Sequence, residues 1–488
     1  MEERKGFGTN FGFLMAAVGS AVGLGNIWGF PNKMGASGGF TFLVIYLVLA
    51  VLCGFIVMVG ELALGRKTRH GAVGAYKALS KKFKWMGWLG ILSAFFILFF
   101  YCALGGYCIK YTVLNIGDLF HAGFGANALA ETAAANGNSL GAEVFGAFMS
   151  SPTEAIVYGL IFVAITMIIV IGGIGGGIEK VCSVGMPALF VMLLICIIRA
   201  CTLEGAVEGL KYMFVPGWAV TNGVIEEAPN FLTVLSTAGG QMFFSLSLGM
   251  GAMITYGSYL DKKENLQKNA ILIIVMDTLV ALMAGLCVIP GRFALDPDGA
   301  LGGPKLLFVT MQNVFSRMGG FGPIFGILFY LLVVFAAVSS SISLLEVIVA
   351  HFVDKARNEG KGDMRKKYTL IAAACVGVGC ILVCADRLGD ASFTPWKLLN
   401  LPAESIRTWN DCWLDFWDML SEGIMMPLGA LLMSLMFGWE VGPDVVKEEC
   451  EASGHAMGSY GFFKICIKYI TPLIMILILY GQIKEFFF

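Results

Sequence analysis

The chain is 488 residues long, 57% hydrophobic and only 14% charged, with a mean hydropathy of +0.79. That much apolar surface is more than a water-soluble core can hide, so the composition excludes a soluble globular protein and points to a bilayer. The formal net charge of -1 says nothing about acidic or basic partners, because in such a chain the information lies in how charge is divided among loops.

Windows of about 20 apolar residues, the length that crosses the hydrocarbon of a bilayer, recur along the chain. In order they predict spans over 11–36, 40–65, 86–117, 154–172, 180–200, 231–259, 268–290, 322–353, 368–385, 412–438 and 464–484, eleven in all. The opening segment MEERKGFGTN is too polar, and the apolar run after it too long and interrupted, for a cleaved signal peptide; it is expected to stay on the mature protein. The loop after the second span carries Arg66, Lys67, Arg69, Lys77, Lys81, Lys82 and Lys84, and that after the eighth carries Lys355, Arg357, Lys361, Arg365, Lys366 and Lys367. Basic loops face the cytoplasm. The segment 118–153, without Lys or Arg, then lies outside, the N-terminus is cytoplasmic, and the odd span count sends the C-terminus outside. Most of the thirteen cysteines, among them Cys53, Cys102, Cys182, Cys196 and Cys375, stand singly in apolar runs without CxxC or Cys/His spacing and read as small membrane-core residues.

Two spans share an anomaly. The first is interrupted by AVGLGN (21–26), the sixth by SLSLGMG (245–251). Unpaired backbone groups are costly in hydrocarbon, so non-helical chain at that depth is tolerated only where protein or a water-filled site surrounds it. A glycine cluster by itself also suits close helix packing. A matched pair of breaks five spans apart, with Asn26 and Pro31 following the first, instead marks an inverted-repeat transporter whose repeats are spans one to five and six to ten. The corresponding units are 1–200 and 201–440, followed by a cytoplasmic loop and the eleventh span in 441–488. An enzyme is not expected: His70, His121, His351 and His455 are scattered, and no HExxH, GxSxG or Walker pattern occurs.

The segments GSAVGLGNIWGFP (19–31), GELALGR (60–66), GQMFFSLSLGMGAMITYGSY (240–259) and FAAVSSSISLLE (335–346) resemble the neurotransmitter:sodium symporter family, its bacterial amino-acid transporters in particular. The resemblance runs from about Phe11 to the eleventh span. It implies an all-α integral membrane protein of the LeuT fold, with discontinuous helices one and six, importing an amino acid with sodium, two ions being expected. It implies a first sodium site from the Ala21 carbonyl, Asn26, Ser245 and Asp277. A second would use the carbonyls of Gly19, Val22 and Ala336 with the hydroxyls of Ser339 and Ser340. Ser245 and Ser339 stand where many relatives have threonine. Asp277 puts a fixed carboxylate inside an apolar span, where such a residue is expensive and usually functional. Chloride-dependent relatives carry neutral residues around the first site, so chloride-independent transport is expected.

The same resemblance implies that the Tyr101 hydroxyl and the amides near Gly23 and Leu24 meet the substrate carboxylate. Monoamine carriers have an aspartate where this chain has Gly23, so the ligand is expected to bring its own carboxylate. Ser20, Ile97, Phe244, Ser247, Met250, Ser340, Ser343 and Leu344 are expected to line a mostly apolar pocket suited to hydrophobic or aromatic amino acids, although several also suit plain helix packing. Arg4 and Asp354 match a cytoplasmic ion pair, with Phe7 and Tyr259 beside it, and Phe244 an outer aromatic lid. Gly177 and Pro187 match a pair that lets the fifth span unwind. Glu61 resembles an acid that braces the first break. In one place the chain departs from the pattern: Gly29 replaces the arginine that bridges the outer vestibule to an aspartate of span ten, so Asp415, or Asp418, lacks that partner. Outer closure must then rely on Phe244, on loop 300–318 or on another cation, and the vestibule can admit a cationic group. An amino-acid sensor, or a carrier of cationic or amine substrates on the same fold, is the alternative; no nucleic-acid partner is expected.

Overall fold

The computed structural model describes residues 7–399 and 410–487, and within them every regular element is helical. Among the described residues nine helices are long and apolar enough to cross a membrane, beginning with Phe40–Thr68 and Met86–Leu119 and ending with Trp413–Glu440 and Tyr460–Phe487. A tenth is the pair Asn10–Ala21 and Gly25–Ala36, bent by 45° at a short break. The sixth expected span is two short helices, Phe231–Ser245 and Ala252–Gly257. Length and composition therefore support up to ten spans among the described residues, and the expected sixth is not one of them as a continuous helix.

The breaks fall where the sequence places them, for different local reasons. In the first, Val22 turns extended at the end of its helix, and Asn26 Oδ1 accepts the Gly23 N–H at 3.0 Å, satisfying an amide that the interrupted helix leaves without a partner. In the second, Ser247, Gly249 and Gly251 all have positive φ, at 53°, 79° and 80°. The glycines adopt this readily, whereas Ser247 is held in a strained conformation.

The first half of span one packs against spans five, seven and eight, and span three runs along span eight, so the broken helices sit in a cage of unbroken ones. Helix Ile174–Cys201 starts six residues before the expected boundary, because GGIGGGIEK continues as a wide helical turn after Gly173. The segments between spans also hold short helices, including Ala72–Leu79, Leu140–Met149, Ala206–Phe214 and Asp444–Glu451.

Candidate ion and substrate site

Asp277 lies fully buried in helix Leu266–Leu295. Its carboxylate accepts hydrogen bonds from Asn26 Nδ2 at 2.7 Å, Ser245 Oγ at 2.9 Å and the Tyr46 hydroxyl at 3.3 Å. Asn26 Nδ2 also reaches the Asp277 carbonyl at 3.0 Å. Three spans and the first break thus converge on one carboxylate. Ala21, the last residue of its helix, presents its carbonyl at the negative end of the helix dipole, close to this cluster in the chain. These are hard oxygen ligands of the kind an alkali cation takes, and among the described residues no group of three His, Cys, Asp or Glu side chains is arranged for a metal ion.

A second oxygen cluster joins spans one and eight. Ser340 Oγ lies 3.2 Å from both the Gly19 and the Val22 carbonyl oxygens, and Ser339 Oγ lies 3.3 Å from Val22 O and 2.9 Å from Ala336 O. All five expected residues are therefore linked through short oxygen contacts, without a charged side chain among them. The carbonyls of Gly19 and Val22 come from the C-terminal end of a half-helix, where backbone oxygens are left over by geometry.

Between the clusters is a small cavity of about 10 Å³ lined by Ser20, Ala21, Gly23, Gly25, Ile97, Tyr101, Phe244, Ser247, Met250, Ser340 and Leu344. Its walls must part before an amino acid fits. Ser343 stands one layer behind, bonding Ser20 Oγ at 2.8 Å, so it supports the wall and does not line it. The Tyr101 hydroxyl accepts the Leu24 N–H at 2.9 Å. A Cβ on Gly23 would come within 2.2 Å of Ser340 Oγ and 2.4 Å of the Tyr101 hydroxyl, so no side chain fits there without displacing both. Ser247 offsets its backbone strain by donating to Ser20 O at 2.7 Å, which ties the two breaks together.

With this geometry in place, sequence and structure comparisons agree. The profile of the family described as "Sodium:neurotransmitter symporter family" matches residues 4–121 and 151–394. The chain belongs to the sodium:neurotransmitter symporter family. It is similar to the uncharacterized sodium-dependent transporter YhdH of Bacillus subtilis, 31% identical over 96% of both chains. It is also similar to an uncharacterized sodium-dependent transporter of Haemophilus influenzae, 30% identical over 98% of both chains. The crystal structure of MhsT in complex with L-phenylalanine aligns with a TM-score of 0.82 at 31% identity, covering 98% of this chain and 100% of that one. The protein is thus a multi-pass, sodium-dependent secondary transporter and not an enzyme.

The remaining symporter residues divide between two faces. On the face expected to be cytoplasmic, Arg4 lies outside the described residues; Phe7 packs edge-on against Phe13, Tyr256 and Tyr259, and Asp354 Oδ2 accepts the Gly71 N–H at 3.1 Å. Two contacts here escape sequence reasoning. Glu346 receives both Arg365 nitrogens, at 2.6 and 2.9 Å, and the Tyr259 hydroxyl at 2.7 Å. Glu179 accepts the Gly8 N–H at 2.9 Å and the Thr9 hydroxyl at 3.3 Å, and a Cβ on Gly12 would collide with it. Span five, with Gly177 in its wide first turn and Pro187 inside its helix, is thereby fastened to the start of span one. Glu346 carries a readable signal, a carboxylate at the end of the apolar motif FAAVSSSISLLE; Glu179 carries none beyond its glycines.

Glu61 requires a correction. The family resemblance implies a brace on the first break, but its Oε1 accepts the Gly249 N–H at 2.7 Å, so it braces the second. Gly249 has positive φ and cannot pair its amide within a helix, and span two is the neighbour that reaches it. On the opposite face, Phe244 lies beside Tyr101 and Phe100, with ring centroids 6.4 and 6.5 Å away. Trp28 Nε1 donates to Gly303 O at 3.1 Å and Gly303 N to Asn32 Oδ1 at 2.6 Å, fixing loop 300–318 to span one. Asp415 Oδ2 accepts from both Asn410 nitrogens at 2.9 Å. The Gly29 position faces Gln241, whose Nε2 donates to Gly25 O at 2.6 Å, a bracing residue not anticipated from sequence.

Proposed function

We propose that this symporter imports a hydrophobic or aromatic amino acid by alternating access, coupled to two sodium ions and independent of chloride. The observation that carries the reading is the cavity between the breaks. Among the described residues its lining carries no charged side chain; it is walled by Ile97, Phe244, Met250 and Leu344, and at one end the Tyr101 hydroxyl holds the Leu24 N–H and Asn26 Oδ1 the Gly23 N–H, donors that a carboxylate would take over. A zwitterion suits it: the carboxylate goes to the hydroxyl, the amides and the adjacent sodium, and an apolar side chain to the opposite wall. MhsT, the structural relative, was crystallised with L-phenylalanine, which favours the same class. Asp277 with Ala21, Asn26 and Ser245 forms the first sodium site in this reading. Gly19, Val22, Ala336, Ser339 and Ser340 form the second. Because Asp277 already supplies a negative charge, no anion is needed to balance the first ion.

Residues 1–200 and 201–440 act as the two inverted repeats, with 441–488 appended. The basic loops at 66–84 and 355–367 favour a cytoplasmic N-terminus and, with eleven spans, an external C-terminus. A second reading, a carrier of cationic or amine substrates, has support in the outer vestibule, where the described lining residues include Asp415, Asp418, Glu422 and Glu485 against Lys33.

The test is a screen of the proteinogenic amino acids for stabilisation that requires sodium, followed by uptake of the best ligand into proteoliposomes, since a ligand of the folded state raises its apparent stability. Aromatic or large aliphatic ligands are expected to raise Tm only with sodium and to accumulate above equilibrium. Stabilisation by cationic amines alone transfers support to the second reading. Binding without accumulation makes the chain a sensor, and flux only down the ligand's own gradient makes it a facilitator.

A further inference from the structure

Gly29 leaves the outer vestibule without the arginine its relatives use, yet the vestibule is not without a cation. Lys33 follows one helical turn later on the same face of helix Phe30–Ala36. Long side chains on a helix lean back toward its N-terminus, which returns the Lys33 ammonium toward the level of Gly29. There it meets Glu422 of span ten in an ion pair. Glu422 is one turn beyond Asp418 and two beyond Asp415 along its span, so the pair is displaced from the expected aspartates on both partners.

The surroundings separate this contact from an ordinary surface pair. The Glu422 side chain is 7% exposed and the Lys33 side chain 21%, so both charges are largely removed from water. Asp415 is engaged by Asn410, and the space a side chain at position 29 would take holds Gln241 Oε1, 2.8 Å from an ideal Cβ. Among the described residues that border the vestibule cavity of about 320 Å³, Lys33 is the one cation, against the carboxylates of Asp415, Asp418, Glu422 and Glu485. A largely desolvated pair that joins the outer half of a broken helix to a different span is strained by any movement that separates those two elements, and losing one partner strands the other charge.

We propose that Lys33 and Glu422 form the outer latch of this transporter, the contact that must break for the vestibule to open and re-form for it to close. It takes the place of the bridge that Gly29 removes. The proposal rests on reading the chain as an alternating-access carrier, and its test is kept separate from that reading.

The full-length chain carrying Thr237→Cys, at the vestibule wall, is reconstituted and labelled from outside with a membrane-impermeant maleimide; the chain without this cysteine gives the background. Lys33→Met and Glu422→Gln are each expected to speed labelling about tenfold, the equivalent of about 1.4 kcal/mol taken from the closed state. The charge reversal Lys33→Glu with Glu422→Lys is expected to bring labelling back to within about threefold of the parent, because the pair and not either residue carries the closure. Retained sodium-dependent stabilisation marks each variant as folded, and if one single variant fails that control the other carries the test. Unchanged labelling in a folded single variant, or a reversal no slower to label than the singles, overturns the latch. Uptake by the parent chain tests the carrier reading independently: absent uptake with a working latch sinks that reading alone.

Discussion

The two oxygen clusters flanking the central cavity use the same broken helix in opposite ways. Around Asp277, a carboxylate is held by side chains from three other segments, with Asn26, Ser245 and Tyr46 all donating to it. Around Ser340, the oxygens are neutral, and three of five are backbone carbonyls. A charged cluster attracts a cation strongly even when its geometry is loose, since the field of a buried carboxylate is little screened. A neutral cluster depends on the positions of its oxygens, and these come from two separate elements, spans one and eight. The proposed first site should therefore fail when its charge is removed, and the second when its geometry is disturbed.

The strongest way to break this contrast is Asp277→Asn, which keeps the shape and removes the charge. Sodium-driven uptake is expected to fall about a hundredfold or more, corresponding to about 3 kcal/mol. The sodium concentration giving half-maximal stabilisation should rise in parallel. Near-normal sodium dependence in this variant would put the controlling charge elsewhere.

Next in size is Gly23→Ala, which lies between the clusters. The added Cβ would come within 2.2 Å of Ser340 Oγ and 2.4 Å of the Tyr101 hydroxyl, so it disturbs the neutral cluster and the substrate pocket while leaving Asp277 intact. Substrate affinity measured by sodium-dependent binding is expected to drop about thirtyfold, about 2 kcal/mol of overpacking. A smaller set of changes then resolves the neutral cluster itself. Ser340→Ala removes a hydroxyl that touches two carbonyls of span one, whereas Ser339→Ala removes one that touches a single carbonyl there and another in its own helix. Half-saturating sodium is expected to rise about tenfold for the first and about threefold for the second, the range of one to two lost polar contacts. Equal effects would mean that span eight contributes both hydroxyls alike.

Much of this arrangement is legible in the sequence, because a bilayer imposes strict terms. Apolar windows mark the spans, and clustered Gly, Ser and Asn at 21–26 and 245–251 mark the two places where helical pairing stops. Asp277 is conspicuous as a carboxylate inside an apolar run. What stays hidden depends on which helices become neighbours. Tyr46 looks like one more bulky residue in TFLVIYLVLA, and only packing brings it to Asp277. Lys33 and Glu422 are 389 residues apart, and neither stands at the position the family pattern directs attention to. Glu61 is read correctly as a brace and assigned to the wrong break, since an acid in span two is within chain reach of either and only the positive φ at Gly249 decides.

The smallest expected effect is the one that isolates the charge of the first cluster. If Asp277 supplies the negative charge beside the first ion, replacing external chloride by gluconate should leave the initial rate of sodium-driven uptake unchanged. The same replacement should be silent in Ser340→Ala, because the neutral cluster contains no charge for an anion to replace. A strong loss of rate in the parent would mean that the carboxylate, already engaged by three neutral donors, does not compensate the ion, and that a mobile anion is needed as well. Loss confined to Ser340→Ala would instead show that the clusters share one electrostatic balance, so that weakening the neutral one exposes a dependence the charged one normally masks.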